Sequence, residues 1–478
     1  MYSYITLFKS SFSSSINLKS IKKYATNDNY VSTRVKSVHD TLAQILPICR
    51  DIGITRISDI TYMDKLYIPN FSVILPGTED SIWVYSGKGT TRIHAIVSAL
   101  MESIERYCSL PSTYSKSFIQ GTYLELSKVY KKVLHPDEVL ESVEPTYNDK
   151  ESIIDYVLGF DLLKNEEVLV PAQLVFSKFS AKPPCINVFS YSHTNGLASG
   201  NVLEEAICHA LCEVIERDAV SIADLCSSSI PYSILENIIK SLKKADYGSY
   251  LIRQIPDDKF VDDSSIFPDV NISEIAKEYE PIKFLVKKFS DTGISLLIKN
   301  ITQKDIGIPT FVASSIEWIT NEYGYFAKGY GTHPDSRIAL IRAITELSQT
   351  RAANIQGARD DFKKIQYRDN DEIYKRKWEF ITSSSQIHTN NNKSTFSEIK
   401  TYIKNDILDE IKLILNRLKK AGIKRAIIVD LTNPNIGIPV VRTIVPGLET
   451  FEVAKLYTNT NLIYGKRAKK QFWKIRYS

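Results

Sequence analysis

The chain has 478 residues, 60 of them basic and 55 acidic, for a formal net charge of +5. With 43% hydrophobic residues it can bury a sizeable core, and its length suits about two to three domains or one large one. No basic stripe with interleaved aromatics marks a nucleic-acid surface, and no apolar run approaches the roughly 20 residues that span a bilayer, so the sequence reads as soluble and cytoplasmic, binding neither nucleic acid nor membrane.

Cys49, Cys108, Cys185, Cys208, Cys212 and Cys226 form no close-set framework and read as reduced thiols of a cytosolic protein. Met1 to Tyr24 is rich in serine and lysine, with no acid before Asp28, and is read as a disordered or peripheral arm despite its transit-peptide-like composition. Residues 1–33 are assigned to this arm. Val38 to Ile54 reads as an amphipathic helix entered at Asp40 and left at Gly53, followed by a strand over Ile54 to Thr61. Leu66 to Pro76 is a strand with Pro69 near its start, where a missing N–H is tolerated. That shape returns at Ile308-Pro309 and Ile438-Pro439.

Gly87-Lys88-Gly-Thr-Thr leads into a helix as a phosphate cradle does, with Lys88 as its charge. It lacks P-loop spacing, and no Gly-x-Gly-x-x-Gly follows a strand, so neither standard nucleotide motif is present. The helix reads Ala95-x-x-x-Ala99-Leu100-x-Glu102-x-x-Glu105-Arg106. After Tyr114 to Glu167, which mixes strands with charged connections, a glycine-bearing loop at Thr194 to Gly200 feeds Ala206-x-x-x-Ala210-Leu211-x-Glu213-x-x-Glu216-Arg217. Glu205, Glu213 and Glu216 fall within about 80° of one another on that helix. Carboxylates so close need a counter-charge, from Arg217 and a divalent cation. A third copy is Ala339-x-x-x-Ala343-Ile344-x-Glu346-x-x-Gln349, and Ser98, His209 and Arg342 occupy equivalent offsets in the three. Alanines at i and i+4 let these helices pack closely, so three copies point to glutamates facing a shared cavity. Cys208 and Cys212, flanking His209, lie on the packed side and are read as core rather than as a metal pair.

Further elements are a helix over Tyr232 to Asp246, an acidic loop over Pro256 to Pro268, strands within Phe284 to Lys299 and a glycine-bearing entry, Phe326 to Thr332, to the third acidic helix. That helix is read as continuing through Arg351 to Asp361. Ser383 to Thr395 reads as a polar excursion, Glu398 to Ala421 as a helix and Ile427 to Leu431 as a strand. The tail turns basic from Lys466 to Arg476 and is read as a solvated end, with docking of a partner as the alternative. A duplicated strand-and-helix unit explains both recurrences.

Ser98-x-x-x-Glu102-x-x-Glu105-Arg106, Thr194-Asn-Gly-Leu-Ala-Ser-Gly, Glu213-x-x-Glu216-Arg217 and Gly329-x-Gly-x-x-Pro with Arg342-x-x-x-Glu346 together resemble the YcaO family, over about Arg34 to Gly447. The resemblance implies an α/β (α+β) fold of pseudo-repeated mixed-sheet and helix units. It makes residues 34–447 the YcaO domain, with a core at about 86–447, its N-terminal helix and strands in 34–85, and a basic tail at 448–478. It also implies an ATP- and Mg2+-dependent enzyme that phosphorylates a peptide-backbone amide oxygen, its nucleotide site neither P-loop nor Rossmann. Position by position, Glu102, Glu105, Glu205, Glu213, Glu216 and Glu346 bind magnesium around the phosphates, Arg217 and Arg342 meet phosphate oxygens, and Arg34, Thr41, Lys88 and Ser98 complete the ATP site. No catalytic residue is assigned.

Gly53 to Thr61 with Asp64 and Ile68-Pro69 resembles the branch that works with a TfuA-like partner protein in archaea. That branch uses a sulfide source to form a backbone thioamide at glycine, best known on the alpha subunit of methyl-coenzyme M reductase. The resemblance also implies a peptide or protein substrate and a homodimer. Leu75-Pro76 stands where an arginine-proline pair is common, and the ending Lys474-Ile-Arg-Tyr-Ser lacks the proline-rich terminus of azoline-forming members. An azoline-forming cyclodehydratase and a non-catalytic accessory factor for a sulfur-transfer (methylthiolation) enzyme are the competing expectations.

Overall fold

The computed structural model describes residues 16–25, 32–80, 82–130, 132–139, 143–189, 192–227, 267–318, 324–357, 394–450 and 465–477. It is an α+β fold in which one unit (helix, three antiparallel strands, helix) is built three times. The first copy is contiguous: α1 (Val38–Asp51), β1 (Arg56–Asp59), β2 (Asn70–Ile74), β3 (Val84–Lys88) and α2 (Arg92–Cys108). Then come β4 (Ile119–Gly121), α3 (Tyr123–Val129), β5 (Ile154–Asp161), β6 (Glu166–Pro171), β7 (Leu197–Ser199), α4 (Leu203–Ser227), β8 (Val270–Asn271) and α5 (Ser273–Glu278). The second copy is again contiguous, as α6 (Glu280–Thr292), β9 (Leu297–Asn300), β10 (Thr310–Trp318), β11 (Gly324–Thr332) and α7 (Ser336–Gln356). After β12 (Ser394–Thr395), the third copy supplies α8 (Ile407–Lys420), β13 (Ile427–Asp430) and β14 (Val440–Ile444), and its last strand and helix are β7 and α4 from far earlier in the chain. The final described element is α9 (Lys466–Tyr477).

The repetition reaches single hydrogen bonds. Each first helix is followed by a glycine with positive φ, Gly53 at +96°, Gly293 at +70° and Gly422 at +88°, a conformation that carries no Cβ penalty in glycine alone. Thr61, Thr302 and Thr432 each accept, on Oγ1, the amide of the residue after the Ile-Pro pair, from Asn70 at 3.1 Å, Thr310 at 2.9 Å and Val440 at 3.3 Å. The carbonyls of Pro69, Pro309 and Pro439 accept from Gly89, His333 and Gly200 at 3.3, 3.2 and 3.0 Å. The Ile-Pro strand is therefore the centre of each three-stranded set, as β1-β2-β3, β9-β10-β11 and β13-β14-β7. The last set belongs to a six-stranded sheet that continues through β5 to β4, with β6 also on β5.

Each second helix lies hard against its strand. Ala95 and Ala99, Ala206 and Ala210, and Ala339 and Ala343 are all fully buried. A Cβ on Gly87 would sit 2.2 Å from Ala95 O, and one on Gly331 2.0 Å from Ala339 O, so only glycine permits this approach. The close contact fixes α2, α4 and α7 with their acidic faces turned away from the sheets.

Several expectations are corrected. Phe284 to Lys299 is not two strands: α6 occupies its first part, because Ile282, Leu285 and Phe289 recur at helical spacing and are buried, and Gly293 caps the helix. The third acidic helix holds Arg351 but stops at Gln356, where Gly357 turns left-handed at +62°. Asp361 lies outside the described residues, as do Tyr232 to Asp246, most of Pro256 to Pro268 and most of Ser383 to Thr395. The helix expected from Glu398 starts at Ile407, capped by Asp406, while Glu398 closes a separate short turn. Ile16 and Leu18 of the arm pack on the core between α4 and α8, so its described part is integral. The basic tail is likewise docked on its own chain as α9, with Ala468 and Phe472 buried at i and i+4 and Arg467 bonded to Asp218 and Asp305. No described helix is long and apolar enough to cross a membrane.

Candidate functional site

The acidic faces of α2, α4 and α7 meet around one cavity of about 1330 Å³. Ser98, Glu102 and Glu105 come from α2, Glu205, Glu213, Glu216 and Arg217 from α4, and Arg342 and Glu346 from α7. Lys88 at the end of β3, Arg34 in the segment before α1 and Thr41 of α1 complete the set, so every sequence-predicted site residue lines this cavity. Glycine-permitted helix packing explains the convergence: the three alanine pairs face the sheets, which leaves the glutamates three residues beyond each pair, Glu102, Glu213 and Glu346, pointing inward.

The glutamates are held individually. Glu346 pairs with Lys88 at 2.5 Å and accepts the Tyr330 amide at 3.3 Å. Glu105 accepts the Ser199 amide at 2.9 Å, which ties α2 to β7. At the start of α4, Glu205 collects the amides of Val35 at 2.5 Å and Asn201 at 2.9 Å, with Arg34 at 3.5 Å. Thr41 Oγ1 lies 2.9 Å from Asn201 Oδ1, so α1 and the loop before α4 share one hydrogen-bond network. Arg342 donates to Thr332 O at 3.1 Å.

Burial and mutual repulsion set the charge state. Burial, then Glu213 and Glu102, raise the Glu105 carboxyl well above the usual range. Burial pushes Glu213 up to about 7, with Arg217 and Arg442 opposing, and pushes Glu216 up to about 8, reinforced by Glu346. His209 is forced well down by burial and by Arg342, Arg34 and Lys88, so its ring is neutral. Carboxylates raised by one another are stabilised by added positive charge. Oxygen donors of this kind fit Mg2+, which takes one or two carboxylates and fills its remaining positions with water and phosphate oxygens. Among the described residues no three His, Cys, Asp or Glu side chains already close around one point. The residues thus fit a magnesium completed by a phosphate-bearing ligand.

Sequence reading missed Asn201, although its place four residues before Glu205 is helix-neighbour spacing. It also missed His193, in the cavity wall and bonded to the fully buried Arg442 at 3.0 Å, a pairing across 249 positions with no local signature. All six cysteines are buried and none lines the cavity, which places Cys208 and Cys212 in the core as read.

A family model described as YcaO cyclodehydratase, ATP- and Mg2+-binding, matches residues 86–256 and 263–449. An uncharacterized protein of Methanothermobacter thermautotrophicus is 32% identical over 84% of this chain and 91% of its own. An uncharacterized protein in the tfuA 3' region of Rhizobium leguminosarum bv. trifolii is 29% identical over 87% of this chain and 90% of its own. The fold is shared with YcaO from Methanopyrus kandleri bound with AMPPCP and Mg2+, at a TM-score of 0.60, with 21% identity, 90% of this chain and 95% of that one covered. It is also shared with a heterocyclase in complex with substrate and cofactor, at a TM-score of 0.64 and 19% identity, where 91% of this chain spans only 54% of that one. With the family model covering well over half of its length, the chain belongs to the YcaO cyclodehydratase family, a family that binds ATP and Mg2+.

Proposed function

We propose that this chain is an ATP- and Mg2+-dependent thioamide synthetase, which phosphorylates the oxygen of a peptide-backbone amide and exchanges that oxygen for sulfur from sulfide. The observation that carries it is the meeting of Glu102, Glu105, Glu205, Glu213, Glu216 and Glu346 with Lys88, Arg217 and Arg342 around one cavity. ATP with magnesium supplies a transferable phosphoryl group whose charge is already partly neutralised. The glutamates hold the metal; Lys88, Arg217 and Arg342 meet phosphate oxygens, with Arg34, Thr41 and Ser98 at the edge of the nucleotide. An amide oxygen is a poor leaving group. Once phosphorylated it departs as phosphate with the C–O electron pair, after hydrosulfide has added to the carbon, and C=S forms with loss of a proton.

The sulfur must come from outside the cavity wall, because every cysteine is buried, and burial raises the thiols of Cys49 and Cys108 to about 12. The tfuA-region relative supports a TfuA-like partner as the delivering protein. A glycine-containing protein such as the alpha subunit of methyl-coenzyme M reductase is the proposed substrate. The test is reconstitution with ATP, Mg2+, sulfide, a glycine-containing peptide of that subunit and the TfuA-like protein, read by mass spectrometry. A gain of about 16 Da, the oxygen-to-sulfur exchange expected from this leaving-group chemistry, supports it.

The family description favours one second reading, an azoline-forming cyclodehydratase. A loss of about 18 Da at a cysteine or serine, from the same amide activation, would establish that reading instead. Transfer of oxygen-18 from the amide into phosphate excludes an accessory protein without catalysis of its own.

A further inference from the structure

Glu410 of α8 is a buried carboxylate, 1% exposed, with several cationic or titratable neighbours. Its Oε1 lies 2.5 Å from Lys23 Nζ and 3.7 Å from His333 Nε2, and its Oε2 lies 3.8 Å from Cys208 Sγ. Burial raises the carboxyl, and Lys23 and then Arg342 pull it back, so two cations lie in its field and only Lys23 touches it. Asp335, the other carboxylate acting there, is gripped by Arg337 at 3.0 and 2.7 Å. His333 is driven well down by burial and then by Arg342, Lys23, His209 and Arg34, and stays neutral. Arg342, meanwhile, donates to Thr332 O and forms no ion pair among the described residues.

Lys23 is delivered to this spot by the arm expected to be peripheral. Its amide donates to Asn405 O at 2.9 Å, the Ile407 amide donates to Ile21 O at 3.1 Å, and the Lys19 amide reaches Glu204 at 2.7 Å. A buried carboxylate stripped of its partner takes the nearest available cation, because an unpaired buried charge is far costlier than a paired one. Without Lys23, and with the His333 ring neutral 3.7 Å away, the remaining cation whose charge acts on Glu410 is Arg342.

We infer that Lys23 is a positioning residue of the nucleotide site: by occupying Glu410 it keeps that carboxylate from drawing Arg342 out of the cavity. The inference rests on the reading that Arg342 meets phosphate oxygens. The probe is Mg2+ with AMPPCP, its Kd measured by calorimetry on the full chain, and thermal melts confirm folding. Lys23→Met is expected to weaken binding about tenfold, Lys23→Arg to preserve it, and Glu410→Gln to leave it within about twofold. The decisive variant is Lys23→Met/Glu410→Gln, which removes both charges and should return the Kd to within about threefold of wild type. A loss of the packing made by the Lys23 side chain would not be rescued this way.

A double variant as weak as Lys23→Met, or a folded Lys23→Met with wild-type Kd while Arg342→Ala binds poorly, overturns the inference. An unchanged Kd in Arg342→Ala instead overturns the phosphate reading beneath it, and the two failures are thereby told apart. If Lys23→Met does not fold, the comparison of Glu410→Gln with the double variant decides, since Lys23 should be dispensable once the carboxylate is gone. A difference above about threefold between those two overturns the proposal.

Discussion

α2 and α4 carry the same signature, Glu-x-x-Glu-Arg, and turn both glutamate pairs into one cavity, yet their arginines do different work. Arg106 is clamped by Asp80 at 2.8 and 3.0 Å and stacks over Tyr85, whose hydroxyl also bonds Asp80 at 3.1 Å. Arg217 acts on Glu213 and Glu216, lowering both carboxyls. Asp80 comes from the connection between β2 and β3. In the third unit β14 and β7 are not consecutive in the chain, so no such connection exists there. Motif repetition therefore copies the helix and its glutamates, whereas the arginines differ in surroundings: Asp80 clamps Arg106, and Arg217 acts on the two glutamates of its own helix.

The largest effect is expected on the α4 side, where Glu216→Gln should cut ATP-dependent turnover on the order of 10³-fold, as loss of a charge-stabilising group does. A variant within tenfold of wild type, measured in single turnover, would remove Glu216 from the site. The arginines should then separate. Arg106→Met leaves Asp80 buried and unpaired and should cost about 3–5 kcal/mol of stability in denaturant unfolding. Arg217→Met should cost less stability than Arg106→Met while slowing turnover about 10²-fold, as loss of a charge-stabilising group does. Equal stability losses would erase the distinction.

A pH series sharpens it further. Below about pH 4.5, the ordinary carboxyl value, Glu213 and Glu216 are protonated in folded and unfolded chains alike. Between there and about 8 the folded chain keeps protons that the unfolded chain releases. The nucleotide-free protein should thus lose stability as pH rises through that window, on the order of a few kcal/mol, and Glu216→Gln should flatten the slope. Urea midpoints that rise with pH across the window would contradict the charge state assigned to α4. The smallest effect tests the repeat itself. Thr302→Val deletes one of the three equivalent Thr-to-amide hydrogen bonds and should cost about 1 kcal/mol without changing turnover. Thr61→Val and Thr432→Val should match it, and divergent costs in urea unfolding would show that the three units are not equivalent mechanically.

What was legible in the sequence was local or repeated. Alanines at i and i+4 with glutamates just beyond could be compared across three helices, and the structure brings those glutamates to one cavity. The Ile-Pro strands could be matched in the same way. Phe284-Leu285-Val286 misled because a short apolar run fits strand and helix alike, and the deciding residue, Ile282, lies outside it. The arm and tail were misread for a different reason. Lys23 meets Glu410 across 387 positions and Arg467 meets Asp218 across 249, and nothing in the composition of a lysine-rich terminus encodes a partner so remote. The third unit was recognisable in pieces, but its assembly from separated segments was not.

That split unit has a consequence for how the molecule is made. β1 to α2 and β9 to α7 can each close as soon as their own segment has emerged from the ribosome, since their strands are consecutive. β7 and the long helix α4 emerge early but gain their neighbouring strand only when β14, some 240 residues later by the register Val440↔Ser199, has been synthesised. Loop closure of that span is slow and must precede its reward. Because α4 carries Glu213, Glu216 and Arg217, the proposed nucleotide site is expected to take shape late in folding, and chains arrested before Val440 should lack it.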